Sequence, residues 1–457
     1  MKATASRRNH TLGVMNGMLV NLGSAFVDPF TVLPVFIATL GGSGIVVGFI
    51  SAAFTAGWFF PQVFVASLAQ SRRRLLPIYA ASSIFRFIGF MGAGVSVYLI
   101  GPGHPRLLMG SVIAGLAVNA LAAGVAGVPF LEITSKTVPV RERGAFFAGR
   151  RVLGGTLGVL AGLLIAAVLN GDPGAMWSTS GAYHQVAAAA RALHLSGRAF
   201  PYDYGVLFLI GGAITMGGVF AYLFVREPPA EHISQRLPFH RHVADGIAML
   251  RRMPDYRTFL LMRICYQLTA MAFPFYATYA YLHMGFTESS VGLFLSIWMG
   301  AGVLSNILWA RLLDARGNRI VFVSTAVASV VPPALMLGLA ASANRVAGAS
   351  HLWLFGLVAS TFLLNGFVRS GRFVANHTYL LESAPVRQRP LYIGFMNSLS
   401  FPFMLSPILG GLVAETLGYR ALFGIGAVAA LANTVASLRL AEPRHRKPVF
   451  PEGVTPP

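Results

Sequence analysis

The chain has 457 residues, of which 55% are hydrophobic and only 11% charged, with a mean hydropathy of +0.65 and a formal net charge of +20. A soluble globular protein carries roughly a quarter charged residues, so this composition excludes one and points to an integral membrane protein. The single cysteine, Cys265, lies in an apolar run, which excludes an intramolecular disulfide and implies no thiol chemistry.

Taken in chain order, apolar runs long enough to cross the ~30 Å hydrocarbon core predict twelve spans. They lie near 12–40, 44–70, 75–100, 107–131, 152–169, 204–225, 257–283, 289–310, 320–341, 351–381, 391–414 and 420–438. The first follows Arg7 and Arg8 and is too long for a cleaved leader, so it is expected to be retained. Lys and Arg fall mostly at the ends on one side of these spans. That bias predicts both termini in the cytoplasm, in a plasma membrane (the inner membrane of a bacterium). The basic charge, including Arg72-Arg73-Arg74 and Arg444-His445-Arg446-Lys447, therefore reads as orientation and contact with anionic lipid, with no nucleic-acid partner.

Two connections are long. Residues 170–203 form an external loop with Trp177 and a short Ala-rich helix around Gln185–Leu195. Residues 226–256 form a cytoplasmic connector, amphipathic around Val243–Met253, whose His232, His240 and His242 lack metal-ligand spacing. Gly154, Gly155, Gly158 and Gly162 give the fifth span a small-residue face that favours close helix packing. No phosphate-binding loop is present, because no strand precedes these glycines and no Lys-Ser/Thr follows. No cofactor or metal is expected.

The sequence also repeats itself at half its length. Asn119 and the segment Val138-Pro139-Val140-Arg141-Glu142-Arg143 recur 246 residues later as Asn365 and Ala384-Pro385-Val386-Arg387-Gln388-Arg389. Pro29-Phe30 returns as Pro274-Phe275, and Gly41/Gly48 as Gly285/Gly292. Such a period predicts two similar halves of several helices each. The expected fold is an all-α membrane protein of twelve transmembrane helices in two pseudo-symmetric six-helix bundles. These are residues 1–225 and 257–440, joined by the connector 226–256 and followed by a basic tail, 441–457.

Between spans eight and nine stands Ala310-Arg311-Leu312-Leu313-Asp314-Ala315-Arg316-Gly317-Asn318-Arg319. It resembles the G-x-L-A-D-R-x-G-R-R loop of the major facilitator superfamily, with Asp, Gly and the last basic residue in register. The first-half counterpart, Ser67-Leu68-Ala69-Gln70-Ser71-Arg72-Arg73-Arg74, keeps only the basic end, which reverses the family habit. The resemblance implies that Asp314, Gly317 and Arg319 form a cytoplasmic gate; plain interfacial charges are the competing reading. The fifth span lacks the G-P-x-x-G-G run of many drug/proton antiporters, although Ser406-Pro407-Ile408-Leu409-Gly410-Gly411 echoes it in the eleventh. The fourth span lacks the Arg often found in proton-coupled exporters.

Ionisable groups inside a membrane are costly and need a cavity or a partner. The tenth span carries Thr361, Asn365, Arg369, Arg372, Asn376 and Tyr379 at helical spacing. This polar stripe runs roughly 27 Å at 1.5 Å per residue, and reads as a water-filled pathway or as an ion-pair network. The first span repeats the pattern with Asn21, Ser24, Asp28 and Thr31, where Pro29 loosens the helix. Asp28 is either a proton carrier or the ion-pair partner of a nearby Arg. The seventh span adds Arg263, Gln267 and Tyr276, with a bend at Pro274. In the superfamily, helices one, four, seven and ten line the cavity, and these residues and Asn119 fall on those spans. Arg86, on the third, either pairs with Asp28 or supports a neighbouring helix.

Four deep arginines (Arg86, Arg263, Arg369 and Arg372) against one deep carboxylate favour an organic anion. The expected function is secondary transport of a small organic anionic solute by alternating access, with Asp28 as the proton-coupling candidate, in a monomer. Drug or metabolite efflux by proton antiport is the alternative, and a non-transporting receptor on the same fold is a further one. An enzyme would need clustered His, Asp or Glu, whereas Glu132, Glu382 and Glu415 are scattered.

Overall fold

The computed structural model describes residues 2–70, 72–169, 181–229, 250, 254–342, 350–383, 396–397 and 399–442. The expected metal-free histidines, the amphipathic connector segment, Trp177, the second-copy segment 384–389 and the basic tail lie outside those residues, apart from Leu250 of the connector and the tail's first two residues. The helices are α1 (Lys2–Ala25), α2 (Val32–Thr39), α3 (Gly44–Gln70), α4 (Leu76–Ile100), α5 (Pro105–Thr137) and α6 (Arg143–Val168), then α7 (Gly181–Ala192) and α8 (Tyr202–Tyr222). The second half has α9 (Pro254–Ala270), α10 (Pro274–His283), α11 (Ser289–Arg316), α12 (Asn318–Ala328), α13 (Val331–Ala341), α14 (His351–Ser383), α15 (Ser406–Thr416) and α16 (Gly418–Leu438). Ten helices, counted through their breaks, are long and apolar enough to cross a membrane among the described residues. The eleventh span is the shorter apolar helix Phe401–Thr416, and the first is α1 with α2, interrupted at its polar centre. The fifth span, α6, begins at Arg143, well before the expected residue 152.

Both expected proline bends are real interruptions. After α1 the amides of Phe26, Val27 and Asp28 reach carbonyls only three residues back, at 3.3 Å, and Pro29 has no amide to give. The Pro29 carbonyl freed by this break is taken by Ser51 Oγ of α3. In the seventh span α9 stops at Ala270 and α10 restarts at Pro274. There Ser406 Oγ, from the eleventh span, donates to the Gln267 carbonyl at 2.9 Å. In the first span a neighbouring helix satisfies the released backbone, as an apolar surrounding demands. In the seventh the Ser406 bond adds to the Met271 amide that the Gln267 carbonyl already accepts at 3.1 Å.

Buried apolar side chains form three clusters. The largest crosses both halves, joining Phe36, Tyr204 and Phe208 to Phe273, Phe294 and Phe355. The other two are each confined to one half: Leu75, Tyr79, Ile133 and Tyr222 in the first, and Tyr256, Phe259, Trp309, Tyr379 and Leu440 in the second. The bundles thus share a core at one end and part toward the end that bears α1's start and α16's finish. Two helix pairs make the shared seam, α6 with α11 and α3 with α15. A Cβ on Gly292 would collide with the backbone of Gly162 and Ala166, so the first seam requires glycine.

Each half also ties down its third span with a glutamate that follows its last helix. Glu227 accepts the Leu75 and Leu76 amides at 2.8–2.9 Å and a Lys136 ammonium at 2.9 Å. Glu442 accepts the Arg319 amide at 2.7 Å. A carboxylate at a helix N-terminus satisfies orphan amides and the positive end of the helix dipole.

Candidate functional site

The break in the first span puts Asp28 at the floor of the open end. Asp28 is 5% exposed, and its Oδ1 accepts the Phe30 amide at 2.9 Å and the Thr31 hydroxyl at 2.8 Å. Above it Phe30 stacks on Phe273 at 5.3 Å and meets Trp298 edge-on at 6.0 Å, so the two broken spans close against each other through aromatic rings. Farther along, α2 packs on α10, and Thr39 Oγ1 donates to Glu288 Oε1 at 3.1 Å, joining the halves. Tyr281 OH donates to the same oxygen at 3.3 Å. Burial, with the Asp203 carboxylate beside it, pushes Glu288 up to about 7.

Arg369 reaches this floor from the tenth span. Its guanidinium lies over Trp298 and Phe30, 5.1 and 5.4 Å from the ring centroids, with Asp28 in electrostatic range, and the residue stays exposed. A second arginine faces it from the other half. Arg151, on α6, stacks over Phe373 at 3.7 Å and lies in electrostatic range of Arg369. Neither arginine makes a hydrogen bond among the described residues. Arg151 was not among the residues expected from the sequence, because it precedes the apolar run by one residue. Only α6's early start carries it into the bundle. Its neighbour Arg150 is also drawn inward, donating to the Gly13 carbonyl and, at 3.1 Å, to Asn16 Oδ1, with its guanidinium 4.2 Å above Phe130.

Residues 258–456 match the sequence profile of the Major Facilitator Superfamily. Similar solved structures extend the likeness over nearly the whole chain. A nucleoside transporter, NupG, is 14% identical with a TM-score of 0.64 over 94% of this chain and 99% of its own. The second half thus carries the superfamily's sequence profile, and nearly the whole chain has the fold of these solved transporters. A bacterial homologue of the iron transporter ferroportin, solved in an inward-facing state, aligns with TM-score 0.63 and 13% identity over 95% of this chain and 98% of its own. A D-xylose-proton symporter gives 0.58 and 15% over 95% and 97%. No curated protein matches the chain in sequence.

Four spans of this multi-pass membrane protein were expected to line a central cavity. The structure brings together Asp28 and Arg369 from two of them, with Asn21, exposed and donating to the Arg150 carbonyl at 3.3 Å, on the same face as half-buried Ser24. The other expected residues are spread out. Asn119 is buried beside Gly89, between α4 and α5. Tyr276 packs on Phe273 and Phe423, and Asn365 bonds back to the Thr361 carbonyl of its own helix at 2.8 Å. Arg263 holds Asn397 Oδ1 at 3.2–3.3 Å, and Gln267, half-buried, gives its carbonyl to Ser406. Asn376 is half-buried with Oδ1 unpartnered. Arg372 turns into the second bundle, away from Arg369's aromatic floor, because Tyr266 and Phe322 cover its guanidinium. Arg86 has Tyr79, not Asp28, as its electrostatic neighbour. Of the expected gate, Asp314 is exposed, Gly317 sits at φ +79° against the Glu442 carboxylate, and Arg319 donates to the Leu438 carbonyl at 2.9 Å. These contacts of Gly317 and Arg319 lie within the second half.

Proposed function

We propose that this protein is a secondary transporter of a small organic anion, moved by alternating access as residues 1–225 rock against 257–440. The observation that carries this reading is the facing pair Arg151 and Arg369, one from each half, without hydrogen-bond partners among the described residues. Two guanidinium forks suit the oxygens of a carboxylate or phosphate, and an anion between them relieves their mutual repulsion. Phe30, Trp298 and Phe373 supply apolar walls for the rest of an amphipathic solute. With both termini cytoplasmic, the cleft faces the cytoplasm and the aromatic floor seals the outside.

Proton coupling through Asp28 fits the same geometry. An anion on Arg369 engages the positive charge that faces Asp28, leaving a buried carboxylate that a proton relieves. The test is flux into proteoliposomes, with and without a pH gradient, over organic anions, neutral nucleosides and sugars, and cationic drugs. Saturable anion flux whose half-saturating concentration rises in Arg151→Ala and Arg369→Ala supports the reading. Flux of cationic drugs alone, or anion flux indifferent to both substitutions, overturns it.

A further inference from the structure

Arg372 is 1% exposed, the most enclosed guanidinium of the second half among the described residues. Tyr266 lies over it at 3.9 Å and Phe322 at 5.8 Å. Among the described residues a single bond holds it, from Nη1 to Asn433 Oδ1 at 3.3 Å. Nε and Nη2, the two donors that share the other edge of the guanidinium, have no partner among the described residues, and neither has Nδ2 of the same Asn433 amide. All the unmet groups on this pair are N–H donors.

The charge is equally unmet. The groups in electrostatic range of Arg372 are the Tyr266 phenol, the Cys265 thiol and a second cation, Arg263. Arg263 in turn is held by the Asn397 amide oxygen, with the Tyr256 phenol as its electrostatic neighbour. No carboxylate stands among these partners. A guanidinium does not shed its proton in a protein, and a buried charge without a counter-charge is strongly disfavoured. Water would satisfy the donors but not the charge.

We propose that Arg372 and Asn433 form an anion site inside the second bundle that holds a small inorganic anion of the halide class. The site is separate from the transported anion at Arg151 and Arg369 and does not depend on that assignment. The bound ion supplies the counter-charge that the described residues omit, so the folded protein is halide-dependent.

The test follows thermal unfolding of the full-length protein in detergent, in sodium chloride against sodium gluconate at equal ionic strength. Chloride is expected to raise the midpoint by a few degrees and to saturate with concentration. Asn433→Asp places a carboxylate beside the guanidinium. It is expected to unfold later than the parent in gluconate and to lose the chloride shift. Arg372→Gln is expected to lose the shift as well, whereas Arg369→Ala keeps it, and bromide soaked into crystals gives anomalous density at Arg372. Equal midpoints in the two salts overturn the proposal, as does an Asn433→Asp variant that retains the parent's chloride shift. A shift lost in Arg369→Ala but kept in Arg372→Gln puts the halide at the central pair and overturns it too.

Discussion

The two halves hold their third spans by the same device and treat buried charge in different ways. Glu227 and Glu442 each follow the last helix of a half and reach back to cap the third span, but Glu227 is also neutralised by Lys136 and nearly enclosed. At the 246-residue offset, Asn119 and Asn365 persist, whereas Arg369 and Arg372 replace Ala123 and Ala126. Those alanines are 7% and 3% exposed and serve close helix packing. The duplicated elements are therefore the scaffold, and the charges are particular to each copy. The first half contributes Asp28 and Arg151, the second contributes Arg369. A site assembled from unlike contributions at a symmetric seam can bind one solute with both halves and still let them separate.

The largest effect expected from breaking that division is at Arg369. Arg369→Ala should raise the half-saturating anion concentration on the order of 100-fold, since a charge-assisted bidentate contact contributes about 3 kcal/mol. Arg151→Ala should cost about tenfold, because Phe373 remains to pack the solute, and the double variant should cost less than the product. Initial flux rates over an anion concentration series measure both. Equal affinity in the parent and Arg369→Ala removes the shared-anion reading. Asp28→Asn should abolish the extra accumulation driven by a pH gradient while anion exchange without a gradient continues. Exchange lost along with accumulation would instead make Asp28 part of the solute site.

The capping glutamates sharpen the comparison through stability. Glu227→Gln should destabilise the protein by about 2–3 kcal/mol, as it strands a partly buried Lys136 and weakens three contacts. Glu442→Gln should cost about 1 kcal/mol, the value of a single cap. Thermal unfolding of the two variants in detergent checks the order. A reversed order would show that the Lys136 pair adds nothing to the cap.

Much of this was legible in the sequence because membrane spans are long apolar runs and their breaks carry proline. The twelve spans, the interruptions at Pro29 and Pro274, the half-chain repeat and the places of Asp28 and Arg369 all follow from such signals. Arg151 was not legible: hydropathy locates where a helix turns apolar, and α6 begins nine residues before residue 152, the expected start of the span. The divergence of Arg369 and Arg372 was hidden for a related reason. Spacing puts them on one broad helical face, but only the rings of neighbouring spans decide which guanidinium reaches the cleft. Helical periodicity fixes an angle and leaves the partner open.

The smallest effect expected is a pH dependence of the sealed end. Glu288 links the halves through Thr39 while Asp203 of the first half stands nearby, a carboxylate pair at the closed seam. Its pKa is raised to about 7 in this closed form, from an ordinary value of 4.5. The closed form therefore holds a proton that the open form releases, so closure weakens as pH rises from about 4.5 to about 7 and changes little above that. Because the group is partly exposed, the effect should be a few-fold in the closed-to-open ratio. Cysteine labelling at Phe36, in a Cys265→Ser background, reads it directly. Labelling should quicken between those pH values after correction for thiolate reactivity, and Glu288→Gln, which keeps the amide oxygen for Thr39, should flatten the dependence. If the slope survives in Glu288→Gln, the proton sits elsewhere and the seal between the halves is apolar alone.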